Sequence, residues 1–294
     1  MKKMIIPCVL VLALMASLLI GCTTPESELI PREVLFGNPD KSSVALSPDG
    51  TKISYRAPVD GVMNVWVGPA DDLTAAKPVT NDTGRGIPAY GWTYTNEYIL
   101  YRQDQAGDEN WRGYSVNLNT GETIDLTPLE GVQARVQKFS PKFPNEILVA
   151  LNDRVPQLHD LYRINIDTGE RTLVLENEGF MGFVIDDEFD VRFAARMTPD
   201  GGLEYFSPAE EGGWELFMQI PMEDTLTTSP LWFDKTGTIL YMKDSRDRNT
   251  AALFAVDLET GEQTLIAEDP QADISGVMIH PTEKNVQAAT FTYE

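Results

Sequence analysis

The 294-residue sequence contains few of the residues that bind metals or nucleic acids. It has 2 cysteines and 2 histidines, which are too few for a zinc site built from those ligands. Its 23 lysines and arginines are outnumbered by 45 aspartates and glutamates, so the net charge is −22 at pH 7. Nucleic-acid binding requires clustered basic side chains. We therefore predict no metal, no cofactor and no nucleic-acid partner.

Residues 1–22 have the pattern of an export signal. Lys2 and Lys3 precede an apolar run that ends at Gly21-Cys22, and a cysteine directly after a small residue resembles a bacterial lipobox. We expect cleavage before Cys22, lipidation of its thiol, and a membrane-anchored periplasmic or outer-membrane lipoprotein. A transmembrane anchor is the alternative, but the run is short for a span of about 20 residues. Residues 23–32 are polar and predict a short tether.

The remaining sequence repeats one pattern, an apolar strand, a tight turn and a second strand. The equivalent turn positions are Pro48, Thr95, Pro141, Glu188, Lys235 and Pro281. They are separated by 47, 46, 47, 47 and 46 residues. A period this regular indicates a tandem architecture. The turn at residues 47–50, Ser-Pro-Asp-Gly, places proline and glycine where a tight β-turn needs them.

A second hairpin follows in most repeats and ends in Thr-Gly-Glu, at Gly121, Gly169 and Gly261. Glycine there predicts a two-residue hairpin turn with positive φ. Four short strands in each repeat, with no sustained helical periodicity, predict an all-β fold. We predict a β-propeller over residues 33–294, with blades of about 46–47 residues, five of them complete and a sixth begun. A β-sandwich is the alternative, but it needs no fixed period.

Several segments, in order, resemble one family. They are IPREVLFGNP (30–39), SPDGTKISY (47–55), GDEN (107–110), HDLYR (159–163), TAAL (250–253) and HPT (280–282). Together they resemble the propeller of prolyl oligopeptidase-family serine peptidases, in the dipeptidyl and acylaminoacyl peptidase-like branch, and also TolB-like propellers. The resemblance extends from about Ile30 to the end of the sequence. It implies a propeller that forms a substrate gate and cavity beside an α/β-hydrolase domain.

The sequence departs from that family in its chemistry. The family nucleophile lies in a Gly-x-Ser-x-Gly elbow, and the nearest segment, residues 113–117, lacks the final glycine. We therefore predict no catalytic residue and no peptide hydrolysis by this chain. The sequence reaches Glu294 within the sixth repeat, so we expect a truncated peptidase without its hydrolase domain. Residues 31–37 are expected to add at most one strand that closes the propeller. A stand-alone TolB-like lipoprotein that binds a protein or peptide is the alternative.

Five residues are candidates for contacts with a peptide or a partner domain. Asp108, Glu109 and Asn110 carry carboxylate and amide oxygens that suit a peptide amine, although such residues often cap their own turn. His159 beside Asp160 has the composition of a base with its orienting carboxylate. No activated nucleophile accompanies them, so a hydrogen bond at a blade edge is the alternative interpretation.

Overall fold

The computed structural model describes residues 29–293, and these divide into two compact units at Pro39 and Asp40. Cys22 and the predicted signal lie outside the described residues. The described part of the first unit contains one short helix, α1 (Arg32–Phe36). The strand expected over residues 31–37 is therefore wrong, because Pro31 starts a helical turn that Gly37 ends by donating to the Glu33 carbonyl at 3.0 Å.

The second unit is a β-propeller of five four-stranded antiparallel sheets and one two-stranded sheet, and each sheet follows chain order. Blade 1 contains β1 (Ser42–Leu46), β2 (Lys52–Val59), β3 (Val62–Pro69) and β4 (Lys77–Pro78). Blade 2 contains β5 (Ala89–Trp92), β6 (Tyr98–Gln103), β7 (Arg112–Asn117) and β8 (Thr123–Asp125). Blade 3 contains β9 (Ala134–Phe139), β10 (Glu146–Val155), β11 (Leu158–Asn165) and β12 (Arg171–Leu175).

The later blades follow the same order. Blade 4 contains β13 (Gly182–Ile185), β14 (Val191–Met197), β15 (Leu203–Pro208) and β16 (Trp214–Ile220). Blade 5 contains β17 (Ser229–Phe233), β18 (Ile239–Asp244), β19 (Ala252–Asp257) and β20 (Gln263–Ala267). Blade 6 has β21 (Ile274–Ile279) and β22 (Val286–Phe291), and two 3-10 turns lie at Leu73–Ala75 and Met222–Asp224. The predicted propeller is confirmed. Within residues 29–293, no helix has the length and apolarity needed to cross a membrane.

The Thr-Gly-Glu turns are wider than the sequence predicts. The N–H of Asn117 donates to the Glu122 carbonyl, which leaves four residues in the loop rather than two. The Asn117 side chain accepts the next two free N–H groups, those of Asn119 (2.9 Å) and Thr120 (3.2 Å). Gly121 then takes the positive φ of 75°. An Asx residue at the end of the strand therefore builds the longer turn.

The sequence period corresponds to direct contact between neighbouring blades. The Asp49 N–H donates to the Asn96 side chain, 47 residues away, at 2.9 Å. Lys142 pairs with Glu188, 46 residues away, and Lys235 pairs with Glu283, 48 residues away. All these residues lie in the turn between the first and second strands of a blade. Equivalent turns of successive blades are thus linked by polar contacts.

Asp187 connects three blades through one carboxylate. It lies in the turn between β13 and β14, and its oxygens contact the amines of Lys138 in blade 3 (2.9 Å) and Lys284 in blade 6 (3.1 Å). Burial raises the pKa of the Asp187 carboxyl, but the two lysines outweigh it, so the pKa is below its usual value. Blade 5 separates blades 4 and 6 in the chain, so these contacts place the turns after the first strands towards the centre of the propeller.

Candidate functional site

The loop between β6 and β7 carries three of the predicted residues. Asp108 accepts the N–H groups of Gln105 and Asn110, each at 3.1 Å, and the Asn110 side-chain amide at 3.3 Å. Burial raises the pKa of the Asp108 carboxyl, but these hydrogen bonds and Arg112 together leave it below its usual value. Asp108 therefore holds its own loop. The Glu109 side chain is exposed and accepts no hydrogen bond from a described residue.

Asp104 anchors this loop to the segment that connects blades 1 and 2. Its carboxylate is buried, pairs with Arg85 at 2.6 Å and accepts the Glu109 N–H at 3.3 Å. Gly107 lies against the same arginine, because an added Cβ would be 3.0 Å from the Arg85 guanidinium and the glycine has φ 90°. The loop thus holds Glu109 in one position, itself at a positive φ of 59°.

The structure does not pair His159 with Asp160. The buried Asp160 carboxylate accepts two hydrogen bonds from Arg154, at 2.7 and 2.8 Å, and the Asn177 N–H at 2.7 Å. The Arg154 hydrogen bonds are the main cause of a lowered Asp160 pKa. Burial first, and Arg135 second, lower the pKa of His159, and its buried Nε2 atom has no hydrogen-bond partner among the described residues. Burial thus disfavours the charged form of the imidazole, and a carboxylate does not orient it.

Two residues that sequence reasoning missed, Gln133 and Arg135, form hydrogen bonds beside the loop that carries Glu109. The Gln133 side-chain amide donates to the Glu109 carbonyl at 3.1 Å, and its oxygen accepts from Arg135 Nε at 2.8 Å. The charge of Arg135 is also, after burial, a cause of the lowered pKa of His159. The loop of blade 2 is therefore hydrogen-bonded through Gln133 to the beginning of β9. No motif marks these two residues in the sequence.

A cavity of about 520 Å³ opens beside this linkage, between blades 2 and 3. Its lining is mainly apolar and aromatic, and includes Tyr90, Leu100, Trp111, Leu126, Phe139, Ile147 and Val149. The lining also includes Arg102, Arg112, Arg135 and Gln133, and none of the described residues that line it is acidic. Its volume lies within the range of small-ligand sites, about 300–1,000 Å³.

The rim of the cavity is formed where β6 ends and β7 begins. The Arg102 guanidinium lies 4.9 Å from the centre of the Trp111 ring, a cation–π contact. Arg112, the next residue, is directed towards Asp125 at 3.4 Å. Groups of three or more potential metal ligands are not found anywhere in residues 29–293. The apolar lining and the arginines at the rim suit binding of an organic ligand.

Comparison with known proteins identifies the relatives of this chain. No protein-family model matches it. Dipeptidyl aminopeptidase BIII of Pseudoxanthomonas mexicana is 46% identical over 268 residues, 91% of this chain. Dipeptidyl peptidase family member 6 of Caenorhabditis elegans is 34% identical over 287 residues, 92% of this chain. The chain is a β-propeller of the prolyl oligopeptidase family. This chain spans 39% and 38% of the length of these two relatives.

A solved structure supports the fold. Oligopeptidase B from Leishmania major superposes with a TM-score of 0.53, at 11% identity, covering 83% of this chain and 37% of that protein. At this identity the likeness shows the fold alone. The resemblance stated from the sequence is confirmed, as is its assignment to the dipeptidyl peptidase-like branch, where both sequence relatives belong.

Proposed function

We propose that this chain is the substrate-gating propeller of an exported prolyl oligopeptidase-family peptidase. The observation that carries the proposal is the 46% identity to a dipeptidyl aminopeptidase along 91% of the chain. The substrates are peptides, and the partner is an α/β-hydrolase domain that supplies nucleophile, base and oxyanion hole. The propeller itself contributes binding and no bond-breaking step.

In this proposal the loop between β6 and β7 receives one end of the peptide. Glu109 presents an exposed carboxylate from a loop held by Asp104 and Asp108, so little ordering entropy is lost when it binds a charged partner. An ammonium group is the complementary ligand. The adjacent cavity provides apolar surface for side chains of the same peptide. Asp160 has a structural role in this proposal, through its hydrogen bonds with Arg154.

A chimera tests the gating role. Residues 29–293 would replace the aligned part of the Pseudoxanthomonas mexicana enzyme, and release of dipeptides from short peptides would be measured. We expect activity on short peptides and none on folded proteins. Glu109→Gln should raise KM about tenfold for a free amino terminus, because one charge-assisted pair is lost. Glu122→Gln is the matched control, since Glu122 is an exposed carboxylate in the turn between β7 and β8.

Two results would contradict this proposal. Cleavage of folded proteins by the chimera would exclude a gate, and equal KM values for both glutamate variants would exclude Glu109 as the amine ligand. An inactive chimera, combined with tight peptide binding by the chain alone, would favour the stand-alone TolB-like lipoprotein.

We also propose that the chain is exported and anchored to a membrane by lipid on Cys22. The sequence pattern of residues 1–22 supports this. In a bacterial host fed labelled palmitate, the full chain should incorporate the label and collect with the membranes. Cys22→Ser should abolish incorporation, and Cys8→Ser should leave it unchanged, because Cys8 lies in the segment removed by cleavage. Label retained by Cys22→Ser would refute the lipoprotein assignment.

A further inference from the structure

The floor of the cavity between blades 2 and 3 is formed by two glycines. Gly91 on β5 is paired with Leu100, and Gly113 on β7 is paired with Arg102. Residues directly opposite in antiparallel strands share a face, and Leu100 packs in a cluster with blade 3. Both glycines therefore face blade 3. A Cβ atom added to either one would meet nothing within 4 Å, so the space above them is open.

The walls of this cavity are rigid core residues. Leu100, Leu126, Ile147 and Val149 are 6% exposed or less and belong to one packed cluster shared by the two blades. Their positions are fixed by packing with each other, since protein interiors are close-packed. The cavity thus exists before any ligand enters, and a ligand need not separate the blades.

The charge that lines this cavity is opposite in sign to the net charge of the chain. The chain has 45 acidic and 23 basic residues, yet the cavity is lined by three arginines and by no acidic residue of the described part. Arg112 is directed towards Asp125 and Arg135 donates to Gln133. Arg102 is exposed, stacks on Trp111, and forms no ion pair or hydrogen bond with a described residue. Its guanidinium is available to an anion at the rim.

We infer that this cavity binds an aromatic or branched aliphatic group that carries a nearby carboxylate, with the apolar part over Gly91 and Gly113 and the carboxylate on Arg102. The inference rests on the proposed peptide-binding function and specifies its substrate class. The shared chemistry has two sources in peptides. One is a hydrophobic C-terminal residue with its free carboxylate, and the other is a hydrophobic residue followed by aspartate or glutamate.

Titration calorimetry of the full chain tests this with three probe peptides. They are Gly-Ala-Phe with a free carboxylate, its C-terminal amide, and Gly-Ala-Phe-Asp amide. We expect the free acid to bind about tenfold or more tightly than the amide, because a hydrogen-bonded ion pair is lost in the amide. Arg102→Gln should remove that difference. Binding of the aspartyl peptide as tightly as the free acid would show that the site accepts acidic side chains as well as C-termini, and weak binding would restrict it to C-termini.

Filling the floor provides the second test. Gly91→Leu should abolish binding of all three probes, while Gly182→Leu, at another strand glycine whose added Cβ meets nothing within 4 Å, should leave binding unchanged. If Gly91→Leu does not melt cooperatively, Gly113→Ala serves instead and should weaken binding of the free acid. Full binding by the filled variants would overturn the inference. If the free acid and the amide bound equally and Gly91→Leu abolished binding of both, the proposed carboxylate recognition would be wrong, but the cavity would still be a peptide-binding site. No binding of any probe would contradict the inference and the peptide-binding role together.

Discussion

Replacement of Asp160 by alanine is expected to lower the free energy of unfolding by about 3 kcal/mol. The buried carboxylate receives two hydrogen bonds from Arg154 and one from the Asn177 backbone. Alanine leaves the guanidinium without its partner and the Asn177 N–H without an acceptor, and each such loss costs about 1–3 kcal/mol. Urea unfolding at pH 7 measures the change. The Arg154 side chain is 41% exposed, so water can replace part of its lost hydrogen bonding. The expected loss of stability is therefore below the upper limit for a fully buried ion pair.

Matched variants separate this structural role from a catalytic one. Glu283→Ala removes the Lys235–Glu283 pair, whose side chains are more than half exposed, and should cost much less stability than Asp160→Ala. His159→Ala should affect stability less than Asp160→Ala, because the two side chains have no bond to each other. If His159→Ala and Asp160→Ala changed peptide binding equally and stability hardly at all, the two residues would act as a functional pair and our interpretation would be wrong.

The blades were predictable from the sequence because residues that favour tight turns recur at a regular spacing. Pro48 and Gly50 favour a tight β-turn at this position. Equivalent turns of neighbouring blades are in contact, so each blade needs nearly the same number of residues. The Thr-Gly-Glu turns were placed correctly, but their width was not. The side chain of Asn117 accepts hydrogen bonds from two backbone N–H groups. The width of the turn depends on competition between such local hydrogen bonds. Helix α1 was missed because five residues are too few to show helical periodicity.

The candidate site was only partly predictable, for a different physical reason. A charged loop residue such as Glu109 can be recognised as a candidate from the sequence, and its side chain is exposed in the structure. The cavity depends on two residues without a side chain, Gly91 and Gly113. They lie on two strands of blade 2 and face blade 3. Glycine in a strand usually signals a bulge or a close backbone approach. Nothing in the sequence distinguishes those cases from an open floor.

Stability should fall as the solution is acidified below about pH 4, and Asp187 should account for a measurable share of the loss. The folded-state pKa of Asp187 is lower than the unfolded value of about 3.9 because Lys138 and Lys284 contact the carboxylate. A group with a depressed folded pKa contributes stability that is fully present above the unfolded pKa. That contribution is lost as the pH falls through the folded pKa. Asp160 and Asp244 have lowered values and act in the same direction.

Comparison of Asp187→Asn with the unsubstituted chain isolates this contribution. At pH 7 the variant leaves two largely buried lysines, whose side chains are 21% and 11% exposed, beside a neutral amide, so we expect it to be about 1–3 kcal/mol less stable. As the pH falls below 4, Asp187 of the unsubstituted chain becomes protonated and loses the same attraction. The two unfolding free energies should therefore converge. A difference that stayed constant from pH 7 to pH 3 would show that the cost of the substitution comes from packing, and that the carboxylate charge does not hold blades 3, 4 and 6 together.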